Sequence, residues 1–280
     1  MSDNTEQVPF HWRTNVAWKD KTHIVIRGYD VNELTGNLDF GQMLFLVLRG
    51  ELPTRAQGEI TNALMVNLAE HAMSPSSATV RFATSGGAEL SAAVAAGVAA
   101  LGRLHGTADR PAEMFREVGR RAEAEGIPDA EAAHKTVLEM RRTKANMGGF
   151  HHAQHIQDPR TVRLLELADK LGIAGRYVAI AQAMEDATPE AFNGRRLYLN
   201  GPGSMGCIGL DAGYEPLELK AMFVVARSLG LCAHSIEEAT REKGWRASSN
   251  SDMVQPLSLQ MQGPDWYDGP ADRHLPESLS

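Results

Sequence analysis

Three histidines within five positions stand between a glycine pair and an Asp-Pro-Arg, in the run Met147-Gly148-Gly149-Phe150-His151-His152-Ala153-Gln154-His155-Ile156-Gln157-Asp158-Pro159-Arg160. Gly148 and Gly149 allow positive φ and a close approach of backbone to ligand. The histidines titrate near neutrality and can give or take a proton. Asp158 before Pro159 has the form of an N-cap followed by a first helical residue. Arg160 then falls in a first helical turn, where its planar fork and the free N–H groups nearby suit a carboxylate or a phosphate. Spacing alone also admits a solvated loop or a metal site. A site built from His151, His152 and His155 needs a further ligand, and Asp158 is engaged as a cap, so no metal is expected.

Other candidates are more ambiguous. His71 and His105 lie at expected helix ends, where an imidazole can simply cap carbonyls. Arg227 and His234 are seven residues apart, share a helix face and can form a structural pair. The run Arg141-Arg142-Thr143-Lys144 is a solvated face or, beside Gly148, a receiver of phosphates.

Helical periodicity dominates the elements that must position these residues. Phe40 to Gly50 is a strongly apolar helix with Gly50 as its C′ residue, and a second helix follows Pro53 from Thr54 to His71. Ser74-Pro75 starts a third that runs to Thr84. An Ala-rich helix is expected from Ala88 to Leu104, its Ala92, Ala96, Gly97 and Ala100 allowing tight packing. Residues 111–145 are charged and helical, broken near Gly126-Ile127-Pro128. Residues 160–185 form one amphipathic helix or a pair. Arg195 to Met205 reads as glycine-rich and irregular, and a long helix runs from Pro216 to Ala239. Strand signals are sparse, with one short alternating pair between Trp18 and Tyr29. Beyond Gly244 the composition suits an extended tail. The fold class is mainly α.

At 280 residues the chain calls for one large domain or two interleaved ones. The net charge of −7 argues against nonspecific nucleic-acid binding, so an anionic ligand needs a local basic pocket. Cys207 and Cys232 in apolar surroundings give no disulfide framework, which points to a reducing, cytoplasmic compartment. The opening MSDNTEQVPF has no basic-then-apolar leader. No apolar run of about 20 residues is evident, so no membrane partner is expected.

Several separated segments together resemble the citrate synthase superfamily, and within it the short branch of citryl-CoA lyases and the lyase domain of ATP-citrate lyase. Arg27-Gly28-Tyr29-Asp30 with Glu33-Leu34 is similar to that family's RGYD..EL, and Phe45 to Thr54 to its LLLxGELPT. Glu70-His71 with Ser74-Pro75-Ser76 is similar to DHxxSPS, and Leu104-His105-Gly106 to LHGGA. Gly148 to Arg160 is similar to GFGHxxxxxxDPR, and Ala226 to His234 to ARxxGLxAH. The order is collinear over residues 18–240.

The resemblance implies a two-domain helical fold. Residues 1–105 and 218–280 would form a large domain and 106–217 a small mobile one, in a homodimer or higher homo-oligomer. It implies chemistry on a coenzyme A thioester and a carboxylic acid, with no tightly bound cofactor. His105 would donate to the thioester enolate oxygen. His151 or His152 would serve the keto or hydroxyl oxygen, the choice depending on whether the motif is aligned from Asp158 or from the glycines. His71, Arg160 and Arg227 would hold carboxylates, and Gly148 and Gly149 would lie against the coenzyme A ester. The sequence departs from the family in two places. Phe150 replaces a glycine that keeps the family pocket open, and Pro202 stands where the family carries the aspartate base of NVDGA. Asp211 reads as a helix or surface residue. Without the aspartate, cleavage is favoured over condensation, because removing a hydroxyl proton is easier than removing one from a thioester α-carbon.

Overall fold

A computed structural model describes residues 13–106, 108–152 and 155–245; the expected tail after Gly244 lies almost wholly outside them. The chain is mainly helical. A three-stranded antiparallel sheet of β1 (Ala17–Lys19), β2 (Ile24–Ile26) and β3 (Tyr29–Asp30) leads into the short α1 (Val31–Leu34). Then follow α2 (Phe40–Arg49), α3 (Arg55–Leu68), α4 (Pro75–Ser85), α5 (Leu90–Ala99), α6 (Asp109–Glu125), α7 (Asp129–Thr143), α8 (Pro159–Lys170), α9 (Arg176–Ala191), α10 (Gly201–Asp211) and α11 (Pro216–Arg241).

These helices start where local chemistry starts them. Asp39 and Gln42 form a capping box on α2, and Thr54 and Gln57 one on α3, so that the first N–H groups of each are satisfied. Gly50 ends α2 at φ 85°, a left-handed conformation that costs glycine nothing.

Two compact units divide the chain: residues 1–70 with 102–227, and 71–101 with 228–280. The first unit has its core in Leu46, Ile60, Leu64, Phe115, Ile180, Met184, Met205, Ile208 and Tyr214, all essentially buried. Each such large apolar side chain contributes roughly 1.5–3 kcal/mol. Tyr214 packs edge-on to Phe45 at 5.1 Å between centroids and shares a 2.8 Å hydrogen bond with Thr61 Oγ1. In the second unit, Gly97 lets α5 close on α4. A Cβ at this position would stand 3.0 Å from the Ser76 carbonyl oxygen and 3.1 Å from Leu231 Cδ1. Ala92, expected to share that packing, is exposed. Arg81 ties α4 to α11 through Glu237 (2.9 Å) and Glu238 (2.7 Å).

Three sequence expectations are corrected. The Ala-rich helix ends at Ala99 rather than Leu104, and His105 lies in a turn. α11 is long and apolar enough to cross a membrane by length and composition. It buries Leu219, Met222, Phe223 and Leu231 together with Arg227. The segment read as irregular contains α10. Glycine opposes helix by about 1 kcal/mol per residue, and here packing overrides it: every residue from Gly203 to Leu210 is buried.

Asp211, at the end of α10, caps a different helix. Its carboxylate accepts the backbone N–H groups of Gly175 (2.8 Å), Tyr177 (3.0 Å) and Val178 (2.9 Å), so it satisfies the start of α9, whose own N-cap is a glycine. Asp211→Ala is expected to lose about 2 kcal/mol of stability, read as a lower urea midpoint with an unchanged slope. An unchanged midpoint would refute the cap.

Candidate functional site

The histidine loop is held from one side by the approach to α10. Phe150 and Leu199 form an antiparallel bridge. Around it the Asn200 N–H donates to the Gly149 carbonyl (2.9 Å) and the His151 N–H to the Tyr198 carbonyl (2.7 Å). Asn200 Nδ2 donates to the His151 carbonyl at 2.7 Å. The segment 195–199 is itself fixed to α9. The Leu197 N–H reaches Thr188 Oγ1 (2.9 Å), and the Leu199 N–H reaches a Glu185 carboxylate oxygen (2.8 Å).

The glycines of this loop have different jobs. Gly149, at φ 95°, is a packing glycine: a Cβ there would come within 2.9 Å of Pro111 and 3.0 Å of Gly203 Cα. Gly148 has open space on its Cβ side. Phe150 is buried and meets Phe115 edge-on at 6.1 Å. Its ring is absorbed by the core, which corrects the expectation that it enters an open pocket.

His151 is exposed and adopts φ 64°, uncommon for a residue with a side chain; the hydrogen bonds on either side of its Cα hold it there. Arg195 Nη2 lies 3.4 Å from both of its ring nitrogens. His152 is half-buried, with its ring 4.6 Å from that of His155, whose N–H donates to His152 Nδ1 at 3.3 Å. Burial lowers the His152 pKa; Asp158 opposes this, while His155, Arg160 and His151 add to it. The balance favours the uncharged imidazole.

Asp158 and Arg160 behave as one group. Asp158 caps α8 as expected, and its carboxylate accepts Arg160 Nε (2.9 Å) and Nη2 (2.6 Å) and the Gly201 N–H (3.0 Å). Burial alone would raise its pKa. The hydrogen bonds and charge of Arg160, with the Arg160 and Gly201 N–H groups, overcome that and hold it at about 2. Arg227 is buried, donates Nε to the Leu68 carbonyl at 3.1 Å and lies over the Phe223 ring at 5.3 Å. Burial lowers its pKa, the charge of Glu70 opposes the shift, and the charge of Arg160 adds to it. The charge of Arg160 near the buried Arg227 guanidinium makes a place where an anion is stabilised.

His105 is half-buried in the turn after α5, its N–H 3.3 Å from the Gly102 carbonyl. The following Gly106, at φ 74°, accepts a 2.8 Å hydrogen bond from Lys220 Nζ. Burial lowers the Lys220 pKa, with Asp109 opposing and Arg110 adding. The structure thus brings His152, Arg160 and Arg227 into one electrostatic neighbourhood and joins His151, Gly148 and Gly149 to it through the loop. The segment after α5 that carries His105 is tied to α11 through the Gly106 carbonyl and Lys220, and His71 belongs to the other compact unit. Sequence reasoning gave no role to Arg195 or Lys220, and it read Glu70 only as part of the motif around His71. The basic pair Arg195-Arg196 ahead of the Asn200 cap was the only signal for Arg195, and Lys220 had none.

Pro202 sits half-buried in the first turn of α10, directly before Gly203 and its packing on Gly149. Two clefts of about 470 and 480 Å³ lie elsewhere, one lined by Glu117, Arg121 and Glu139, the other by Thr84, Ser235 and Glu242.

A family profile described as citrate synthase, C-terminal domain, matches residues 57–248. A protein called putative citrate synthase 2 from Mycobacterium tuberculosis is 33% identical over 208 residues, which is 70% of this chain and 53% of that protein. The chain spans about half the length of the curated relatives it matches. Among solved structures, citryl-CoA lyase from Hydrogenobacter thermophilus superposes with a TM-score of 0.80 at 31% identity, covering 96% of this chain and 98% of that one. A citrate synthase from Thermoplasma acidophilum, in a ternary complex with carboxymethyl coenzyme A and oxaloacetate, gives a TM-score of 0.65 at 21% identity, covering 86% of this chain and 60% of that one.

Proposed function

The chain belongs to the citrate synthase family, and from that premise we propose that it is a carbon–carbon lyase. It would cleave a carboxylated 3-hydroxyacyl-CoA, such as citryl-CoA, to acetyl-CoA and a 2-oxo acid. The observation that carries this choice is the near end-to-end similarity, at 31% identity, to a citryl-CoA lyase. Pro202 in the first turn of α10 can neither take nor give a proton, so the proton at the thioester carbon must be handled by another group.

In the proposed reaction His151 or His152 takes the hydroxyl proton. The carbonyl of the 2-oxo acid forms as the Cα–Cβ bond breaks, and the electron pair of that bond passes into the thioester enolate. His105 donates to the enolate oxygen. Neutral His152 suits the proton acceptor, since a cation would have no lone pair to offer. Arg160 and Arg227 hold carboxylates of the acid fragment, with His71 assigned to the same task by resemblance. Gly148, with open space beside it, suits close approach of the coenzyme A ester. A homodimer or higher oligomer, a small domain at 106–217 that closes over substrate and a cytoplasmic location belong to the same proposal.

Mass spectrometry of the products from citryl-CoA tests it, with oxaloacetate plus acetyl-CoA as the reverse reaction. Release of acetyl-CoA is expected. If citryl-CoA is bound and recovered intact, the chain is a binding member of the family rather than a lyase. Pro202→Asp is expected to speed condensation by roughly tenfold or more, as gain of a general base does. If condensation and exchange of the acetyl methyl protons stay unchanged, position 202 has been misassigned.

A further inference from the structure

A thioester enolate released by cleavage must gain a proton at carbon, and Pro202 has none to supply. Resting on the lyase function proposed above, we propose that Asp109 delivers that proton, in place of the carboxylate the family carries at 202.

Four observations converge on it. Asp109 opens α6, four residues past His105. Its Oδ1 is buried and has no hydrogen-bond partner among the described residues. A buried polar atom left unbonded costs about 1–3 kcal/mol, and such atoms in native proteins call for a functional explanation. The first turn of α6 is also packed against the elements that carry the histidine loop and Pro202. A Cβ on Gly149 would stand 2.9 Å from Pro111, and one on Gly206 would stand 3.0 Å from the Ala112 nitrogen and 3.3 Å from the Ala108 carbonyl oxygen. Finally, Lys220, whose ammonium feels the charge of Asp109, donates to the carbonyl of Gly106 beside His105. One lysine thereby links the turn of the enolate-stabilising histidine to this carboxyl group.

The step balances. The substrate hydroxyl gives its proton to a histidine, and the electron pair of the broken C–C bond becomes the enolate. Asp109 takes up that proton from the charged histidine, or one from solvent, and passes it to the enolate carbon, completing the methyl group of acetyl-CoA. It returns to the carboxylate, so no net proton is consumed. In reverse the carboxylate removes an α-proton from acetyl-CoA.

The test uses the full chain and two assays, citryl-CoA cleavage and incorporation of solvent deuterium into the methyl group of acetyl-CoA. Asp109→Asn, which preserves shape, is expected to slow both by about 10²-fold or more, with KM for citryl-CoA changed less than threefold. Added formate should restore part of the exchange. Asp109→Asn that is folded by circular dichroism and keeps wild-type exchange within threefold overturns the proposal and marks Asp109 as structural. So does a loss confined to KM. Where Asp109→Asn fails to fold, Asp109→Glu decides instead, with a lowered but measurable exchange rate expected and an unaltered one overturning the assignment. A wild-type chain that exchanges acetyl-CoA without cleaving citryl-CoA ends the lyase function while leaving Asp109 tested by exchange alone. A wild-type chain inert in both assays overturns both.

Discussion

Asp158→Asn is expected to cost the fold about 3–5 kcal/mol, the range for removing one partner of a buried ion pair. The size follows from what the carboxylate holds: both nitrogens of the Arg160 fork, the Arg160 N–H and the first N–H of α10 at Gly201. Asparagine keeps the shape and one acceptor oxygen but loses the charge, and Arg160 is left half-buried beside Arg227 without its counter-ion. The pH dependence carries the same signature. The folded pKa of about 2 lies below the unfolded value of about 4. The stabilisation, roughly 2 kcal/mol, is therefore complete above pH 4 and is lost as pH falls from 4 toward 2. Chemical denaturation across that window should show a steep loss in the wild type and a flatter profile in Asp158→Asn. Equal slopes in the two would mean that Asp158 is not the titrating group.

Gly203→Ala is the second large effect, and its sign is informative. Helix propensity alone favours alanine by about 1 kcal/mol, so a solvent-facing site would be stabilised. Here the new Cβ would lie 2.1 Å from the Gly149 carbonyl oxygen and 2.7 Å from Leu199 Cδ1. The oxygen is backbone and accepts the Asn200 N–H, so it cannot swing aside without breaking the pairing that positions His151. Overpacking usually costs 1–3 kcal/mol, and a clash with backbone belongs at the top of that range or beyond. A Tm several degrees lower, with loss of citryl-CoA turnover, is expected. A variant as stable as the wild type would show that the loop and α10 are not in contact. Gly148→Ala, facing open space, is the control for alanine in the same loop.

Much of the framework was legible because it rests on local signals. The cap pairs Ser74-Pro75 and Asp158-Pro159, and Gly50 as a helix stop, are written in adjacent residues and lie where they were read. The family was visible through collinear motifs, none sufficient alone. α10 was hidden because its helical state is imposed by neighbours far away in sequence: Gly206 accommodates Ala112, and Gly209 accommodates Leu219. The cap of α9 by Asp211 is 33 to 36 residues distant, beyond any local pattern. Lys220 is tied to Gly106 across 114 residues, and nothing in its heptad marks it. Phe150 was misjudged for a related reason: its partner Phe115 lies on another helix, and burial rather than pocket geometry decides where the ring goes.

A helix with four glycines in eleven residues, buried along nearly its whole length, has no independent existence. α10 cannot nucleate by itself, because each of its glycines adds backbone entropy to be lost. It is ordered only once α6, the histidine loop and the start of α11 are in place. Opening of the loop and melting of α10 must then be one event, with the protection of α10 amides against hydrogen exchange rising and falling with that of residues 149–151. The chain cannot loosen its histidines in isolation, and mutational drift at Gly203 would be felt at the loop, whereas drift at Gly206 or Gly209 would reach it through α6 or α11.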